Sequence, residues 1–201
     1  MIPVVDPVPP LRWTHAASTA SWSENVLTMI SPAQSDWARD ARFAHLPAQL
    51  DTTALVFPVD EDAVIAARVE VVGERTTFDA AVLVVWIDDD HWAKLCFEMS
   101  PAAETMVVSV VTNVFSDDAN ASVVQGDHVH LRIARVGDAF VFQSSADGVD
   151  WRFVRLFRLH SDAPAHLGFL SQSPNGGPCT ARFSDVSYTR GTLEVLREGL
   201  E

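Results

Sequence analysis

Short runs of β-type residues, each ended by turn-forming residues, follow one another along most of the chain. Residues 64–72 and 92–99 alternate between apolar and polar side chains, and residues 80–87 are rich in branched ones. Clusters such as Asp88-Asp89-Asp90 and Asp147-Gly148 separate the runs, and these residue types favour turns. No amphipathic segment of helix length lies between them. The pattern therefore predicts an all-β sandwich or barrel.

The same pattern of β-type runs and turn residues predicts the remaining strands and the limits of the domain. Further strands are predicted at residues 106–112, 129–135, 140–145, 152–159, 166–170 and 180–188. The stretch 31–50 is rich in Pro, Ala and Asp and predicts a loop or a short helical turn. In the tail 192–201, Leu193, Leu196 and Leu200 have helical spacing, which predicts a short C-terminal helix or tail. With no linker or repeat in the sequence, residues 1–201 are expected to form one domain with its core at about 11–189.

Charge and cysteine content limit the surroundings in which the chain is expected to work. The formal net charge of −13 argues against nucleic acid or an anionic membrane as partners, because both need a basic surface. The longest apolar run, residues 80–87, is too short to span a bilayer, and residues 1–10 lack the features of a secretory signal. Cys96 and Cys179 are isolated thiols, which favours a reducing compartment. We therefore expect a cytoplasmic protein.

Several ordered motifs resemble those of one protein family. Residues 78–94 (FDAAVLVVWIDDDHWAK) are similar to the family pattern YDxAGLMxRxDExxWxK, and residues 25–40 are similar to its opening LTIxAxxxTDFWR. The other matching segments are KLCFE at 94–98, SVVTNVFSD at 109–117, LRIARVGD at 131–138, SADGVDW at 145–151 and FSDV at 183–186. Together they resemble the domain of unknown function typified by the fungal regulation-of-enolase protein, over roughly residues 11–189.

The resemblance implies a fold more than an activity. Members of this family have a concanavalin A-like jelly roll, similar to the accessory domain of some family 43 glycosidases, so a two-sheet antiparallel sandwich is expected. Val82 and Trp86 stand where the family pattern has Gly and Arg, and His130 stands where an aromatic residue is common. These departures imply a narrower and less basic cleft than that of the relatives.

Alternation along the predicted strands sorts their side chains onto two faces. In the strand from His91, the residues Ala93, Leu95 and Phe97 are expected to enter the core. The polar or aromatic residues of this and the neighbouring predicted strands are then expected to share one concave sheet face. This predicted ligand-binding set is Trp86, Trp92, Lys94, Glu98, His130, Arg132 and Gln172.

An aromatic platform beside charged groups that can hold hydroxyls is typical of a carbohydrate site. The sequence thus favours a module that binds a carbohydrate or a sugar-derived small molecule. A hydrolase or isomerase that uses Glu98 as acid–base, alone or with His130, is the alternative from another class. A second alternative is a protein-interaction module, in which Lys94, Glu98 and Arg132 form an ion-pair ladder on a flat face.

The sequence gives weaker support to a metal site or a reactive thiol. His128 and His130 have the i, i+2 spacing of two metal ligands, with Glu98 or His166 as a third, and the acidic runs 88–90 and 117–118 have oxygen ligands for calcium. Ordinary surface histidines and acidic turns account for both patterns more simply, and Cys96 fits a small buried core residue. Neither a metal nor another cofactor is therefore expected.

Overall fold

Two large antiparallel sheets make up the protein, which confirms the predicted all-β jelly-roll sandwich. The computed structural model describes residues 2–193 and 196–197, and within these residues there is no helix. The strands are β1 (Arg12–Trp13), β2 (Thr19–Ser23), β3 (Val26–Ser31), β4 (Trp37–Ala38), β5 (Gln49–Leu50), β6 (Leu55–Val59), β7 (Ala63–Val72), β8 (Ala80–Asp88), β9 (His91–Met99), β10 (Thr105–Asn113), β11 (Phe115–Val123), β12 (His128–Val136), β13 (Ala139–Ser145), β14 (Arg152–Phe157), β15 (Ala165–Gln172) and β16 (Cys179–Arg190). Most of the predicted C-terminal helix lies outside the described residues.

Strand order places distant parts of the chain side by side. The first sheet has the order β1-β6-β15-β8-β9-β10-β11, and the second has the order β14-β13-β12-β7-β16-β3-β2. Strands β4 and β5 form a separate two-stranded pair. In the first sheet β15 lies between β6 and β8, so residues near position 170 become neighbours of residues near position 82.

The core between the two sheets follows the alternation of the strands. Leu83 and Val85 of β8, Leu95 and Phe97 of β9, and Leu131 of β12 are fully buried in it. Alternate residues of the same strands point away from it, because successive side chains leave a strand on opposite sides. The predicted entry of Ala93, Leu95 and Phe97 of β9 into the core is therefore confirmed.

A second, smaller cluster of buried residues covers the outer face of the first sheet. Val82 and Val84 of β8 and Cys96 of β9 cluster there with Trp37 of β4, which lies between β3 and β6 in the chain. This outer face is thus partly roofed by the chain itself. Among the described residues no helix is long and apolar enough to cross a membrane.

Candidate functional site

A segment that we call the crossing segment, residues 36–42, contains the short strand β4 and runs over the outer face of the first sheet. Next to its start, Ser35 pairs with Ser173 at the end of β15. Farther along, Arg39 accepts a hydrogen bond from the amide of Ser116 in β11 and donates its own amide to the Ser116 hydroxyl. The segment is therefore tied to both sides of the face that it crosses.

Trp37 fixes the middle of the crossing segment to the sheet. Its ring is completely buried, lies 5.7 Å from the ring of Trp92 between centroids, and is edge-on to His15. Its indole Nε1 donates a hydrogen bond of 2.9 Å to the carbonyl of Thr52. The indole is buried whole, and its one polar atom is hydrogen-bonded. This burial strongly stabilises a single position of the crossing segment over the sheet.

Between the crossing segment and the sheet lies a cavity of about 430 Å³. Val108 and Val110 of β10 contribute apolar side chains to its lining. Its polar side chains come from β9, β11, β15 and the crossing segment, and they are Asp36, Arg39, Asp40, Arg42, Lys94, Glu98, Ser116, Asp118, Asn120 and Gln172. The cavity thus combines a small apolar surface with many polar and charged groups that can fix the orientation of a ligand.

Lys94 holds the inner end of this cavity together. Its ammonium donates hydrogen bonds to Asp36 Oδ1 at 2.8 Å, to the Trp37 carbonyl at 2.7 Å and to Gln172 Oε1 at 2.8 Å. Burial, the largest single influence, lowers the pKa of Lys94, but the charge of Asp36, the hydrogen bond to it and the other negative groups nearby together outweigh burial and raise the pKa. All three N–H groups of a charged lysine are thus used within the protein. Lys94 therefore acts in fixing the crossing segment.

Gln172 links this charged pair to Glu98. Its oxygen accepts from Lys94, so its amide group must donate in the other direction, to the Phe78 carbonyl at 3.0 Å and to Glu98 Oε2 at 3.4 Å. The bond to Glu98 is long and weak. The second carboxyl oxygen of Glu98 accepts no hydrogen bond from the described residues. Glu98 consequently offers the cavity a buried group with spare hydrogen-bonding capacity.

The environment of Glu98 favours the protonated acid. The residue is only 9% exposed, and burial raises the pKa of its carboxyl to about 7. Lys94 and Arg75 oppose the rise, whereas the charges of Asp36 and Asp118 add to it. A carboxyl that changes protonation near neutral pH can donate or accept a hydrogen bond to a ligand, or serve as a general acid–base.

Phe78 and two β11 residues form the mouth of the cavity. Phe78 is 37% exposed and has a φ of 72°, and its left-handed backbone is held by the next residue, Asp79, whose carboxylate accepts from the amide and hydroxyl of Thr76. Across the sheet, Asp118 lies opposite Val110 and Asn120 opposite Val108, which puts both side chains on the cavity face. Partial burial raises the pKa of Asp118.

Of the predicted ligand-binding residues, only Lys94, Glu98 and Gln172 line this cavity. Trp92 shares their face but is completely buried against Trp37, so it has no surface for a ligand. Trp86 lies at the far end of the face, with the Arg12 guanidinium 5.0 Å from its ring centroid and His166 at 5.3 Å. Within the predicted set, Trp86 therefore lies apart from Lys94, Glu98 and Gln172, which line the cavity.

The expectation that His130 and Arg132 share this face is wrong. Both belong to β12, which pairs with β7 and β13 in the second sheet, so they lie on the opposite side of the sandwich. There Arg132 stacks on Trp151 at 4.0 Å and donates to Gln143, while the Gly148 turn packs against His130. An acid–base pair of Glu98 with His130, or a metal site shared by them, is therefore ruled out.

The acidic run at 117–118 is not a turn, contrary to expectation. It lies within β11, at the edge of the first sheet, where Asp118 faces the cavity and Asp117 pairs with Arg155 at 3.1 Å. Asp88, by contrast, does lie at a turn, where it accepts hydrogen bonds from the Asp90 amide and from His91. In the described part of the chain no group of three His, Cys, Asp or Glu side chains is arranged to hold a metal ion.

Both cysteines are buried and free, and burial raises the pKa of each thiol. A thiol that resists ionisation is a poor nucleophile. Cys96 packs among apolar residues on the outer face of the first sheet, as expected for a small buried residue.

Sequence reasoning missed Asp36, Asp118 and Asn120. Asp36 lies in a segment without strand periodicity, and its one signal was the similarity of residues 35–40 to the family motif TDFWR. The run FSDDANASV of β11 contains too few apolar residues to be read as a strand, because an edge strand that is exposed on most of its length needs none.

Comparison with known proteins agrees with this fold. The family model described as "Protein of unknown function (DUF1349)" matches residues 13–191. Regulation of enolase protein 1 of Saccharomyces cerevisiae is 31% identical over 144 residues, which cover 70% of this chain and 71% of the yeast protein. A solved structure of a functionally unknown protein from Saccharomyces cerevisiae superimposes with a TM-score of 0.80 at 23% identity, covering 92% of this chain and 98% of that one.

Sugar-processing enzymes also contain the fold. The structure of a xylan beta-1,4-xylosidase from Bacillus halodurans matches with a TM-score of 0.62 at 14% identity, covering 92% of this chain and 40% of the enzyme. At this identity the likeness concerns the sandwich alone. The match of the family model over most of the chain, together with the yeast relative, shows that this chain belongs to the DUF1349 family of proteins of unknown function.

Proposed function

We propose that the chain is a binding module for a carbohydrate or another sugar-derived small molecule, held in the cavity beneath the crossing segment. The observation that carries the proposal is Glu98, a buried carboxyl with one unused oxygen in a cavity of about 430 Å³. That oxygen is open to the cavity rather than sealed in the protein, so a ligand hydroxyl or amine can donate a hydrogen bond to it.

The rest of the lining suits a molecule that is apolar on its faces and polar at its edges. Val108 and Val110 offer an apolar surface, and the Phe78 ring stands at the mouth. Asn120 and Ser116 add amide and hydroxyl groups that can exchange hydrogen bonds with sugar hydroxyls. The volume lies within the common range of ligand pockets, roughly 300–1,000 Å³. A cytoplasmic location is part of the proposal, because both thiols are free and buried.

Acid–base catalysis on a sugar-derived substrate is the second candidate, and one observation favours it. Burial raises the pKa of Glu98 to about 7, which suits proton transfer at neutral pH. Asp118 is a further carboxyl in the cavity, whereas Asp36 is engaged by Lys94. The protein-interaction alternative needs a flat face with all charges paired, and the cavity with its unused Glu98 oxygen favours a small ligand over it.

A thermal-shift screen of monosaccharides, oligosaccharides and sugar phosphates tests the proposal. A sugar at about 100 times its Kd should stabilise the wild type by about 2.7 kcal/mol and raise its Tm by about 5–10 °C. Glu98→Gln should lose most of this shift, because the amide cannot reproduce the carboxyl. Arg132→Ala is the matched control on the opposite sheet and should keep it.

The outcomes separate the alternatives. A Tm shift that remains in Glu98→Gln but disappears in Arg132→Ala would show that the ligand binds on the second sheet. If no compound in the screen changes the Tm, the proposal of ligand binding is wrong. Turnover of a sugar that binds, followed by product analysis, distinguishes the enzyme from the binding module.

A further inference from the structure

The charges that line the cavity do not balance. Its acidic residues are Asp36, Asp40, Glu98 and Asp118, and its basic residues are Arg39, Arg42 and Lys94. Each basic residue already has an acidic partner within ion-pair distance. Two acids are left over.

The pairing is fixed by short contacts. Lys94 binds Asp36 at 2.8 Å, Arg42 binds Asp40 at 2.6 Å, and Arg39 binds Asp90, which does not line the cavity, at 3.0 Å. Glu98 and Asp118 form no ion pair with any residue that the structure describes. The three donors of Lys94 are also used up, so it has no further proton to give to either of them.

Glu98 determines which charge on a ligand the cavity favours. It is about nine-tenths buried, faces the cavity and has one oxygen without a hydrogen bond from the described residues. A carboxylate in this position is stabilised by a positive charge that enters the cavity, and a second negative charge is repelled both by Glu98 and by Asp118.

We infer that the cavity selects a ligand that carries a positively charged nitrogen, as an amino sugar does, and rejects sugars that carry a carboxylate or phosphate. This inference rests on the proposed function and names the substrate class of the same site. The ammonium group of the ligand makes the charge-assisted hydrogen bond that Glu98 lacks, and Asp118 at the mouth adds a second attraction.

Proton linkage supports the inference. Burial raises the pKa of both Glu98 and Asp118 above its usual value, and the nearby cations, Lys94 first, lower it too little to offset burial. A bound ammonium group lowers the pKa of Glu98 again. Binding of a cationic sugar near pH 7 should therefore release protons, and the affinity should rise as the pH passes upward through about 7.

Three sugars of one size test this selectivity by isothermal titration calorimetry. Glucose, 6-amino-6-deoxyglucose and glucuronate share a ring and differ at carbon 6, where they are neutral, cationic and anionic. At pH 8 the amino sugar should bind about tenfold or more tightly than glucose, and glucuronate should bind more weakly than glucose. Between pH 6 and pH 8 the Kd of the amino sugar should fall by up to about tenfold, because Glu98 ionises in this range.

Neighbouring aspartates on β11 provide the matched variants. Asp118→Asn should reduce the advantage of the amino sugar over glucose about three- to tenfold. Asp117→Asn removes the same charge from the adjacent residue, which pairs with Arg155 and does not line the cavity, and it should leave this advantage within about twofold of the wild type.

Each result decides the inference. Equal or tighter binding of glucose or glucuronate overturns it but leaves carbohydrate binding in place. Absence of binding by all three sugars also overturns it, and the proposed function fails with it only if the broader thermal-shift screen is silent as well.

Discussion

Lys94→Met should destabilise the fold by about 3–5 kcal/mol, the largest single effect expected at this site. Methionine keeps the apolar stem of the side chain but removes three hydrogen bonds, and it leaves the Asp36 carboxylate without its cation in a largely buried position. For a chain of this size the Tm should fall by about 10 °C. Chemical unfolding, with the midpoint and slope fitted separately, measures the loss.

An exposed ion pair provides the control. Arg190 and Glu61 lie 2.8 Å apart, as close as Lys94 and Asp36, but both side chains are at least half exposed. Arg190→Met should therefore cost about 1 kcal/mol or less. The double variant Lys94→Met with Asp36→Asn should recover part of the loss, since no unpaired charge remains. If Lys94→Met costs no more than Arg190→Met, the ammonium group does not hold the crossing segment as described.

Glu98→Gln should make the protein more stable above neutral pH, although it removes the group proposed to bind the ligand. In the folded protein the pKa of Glu98 is about 7, above the ordinary value of 4.5. An acid whose pKa is raised by folding contributes its stability below the unfolded pKa, and that stability is lost as the pH rises through the folded pKa. The wild type should thus lose about 3 kcal/mol through this group between about pH 4.5 and pH 7.

Stability as a function of pH, compared between variant and wild type, isolates this contribution. The two proteins should be similar near pH 4, and the variant should be more stable by an amount that approaches about 3 kcal/mol at pH 8. Glu104→Gln is the matched control on an exposed residue, and it should change the free energy of unfolding by no more than about 0.5 kcal/mol. A flat difference for Glu98→Gln, or one of opposite slope, would show that the carboxyl is solvated. Natural sites commonly keep such a costly group because function needs it.

Much of the candidate site was predictable because strand alternation is a local property. The two-residue period of β9 places Lys94 and Glu98 on one face whatever the strand pairs with. The same period in β15 puts Gln172 on the outer face with Leu170. The all-β class follows in the same way from the regular spacing of strands and turns.

The assignment of strands to sheets was not predictable in this way, because pairing depends on contacts between distant residues. The polar face of β12 resembles that of β9 in sequence, and nothing local shows that His130 and Arg132 belong to the opposite sheet. Likewise, residues 36–42 have no periodicity, so only the folded chain shows that they roof the sheet and that Asp36 reaches Lys94. The charge balance of the cavity depends on both of these non-local arrangements.

A carbon-13 NMR titration of the Glu98 side-chain carboxyl tests most directly whether this residue is the buried, protonatable group of a ligand cavity. Spectra of the wild type between pH 4 and pH 9 would follow every carboxyl, and Glu98→Gln would identify the signal that disappears. A midpoint of about 7, well above the ordinary glutamate value of 4.5, is the predicted result. A midpoint near 4.5 would contradict it, because the carboxyl would then be solvated rather than enclosed beneath the crossing segment.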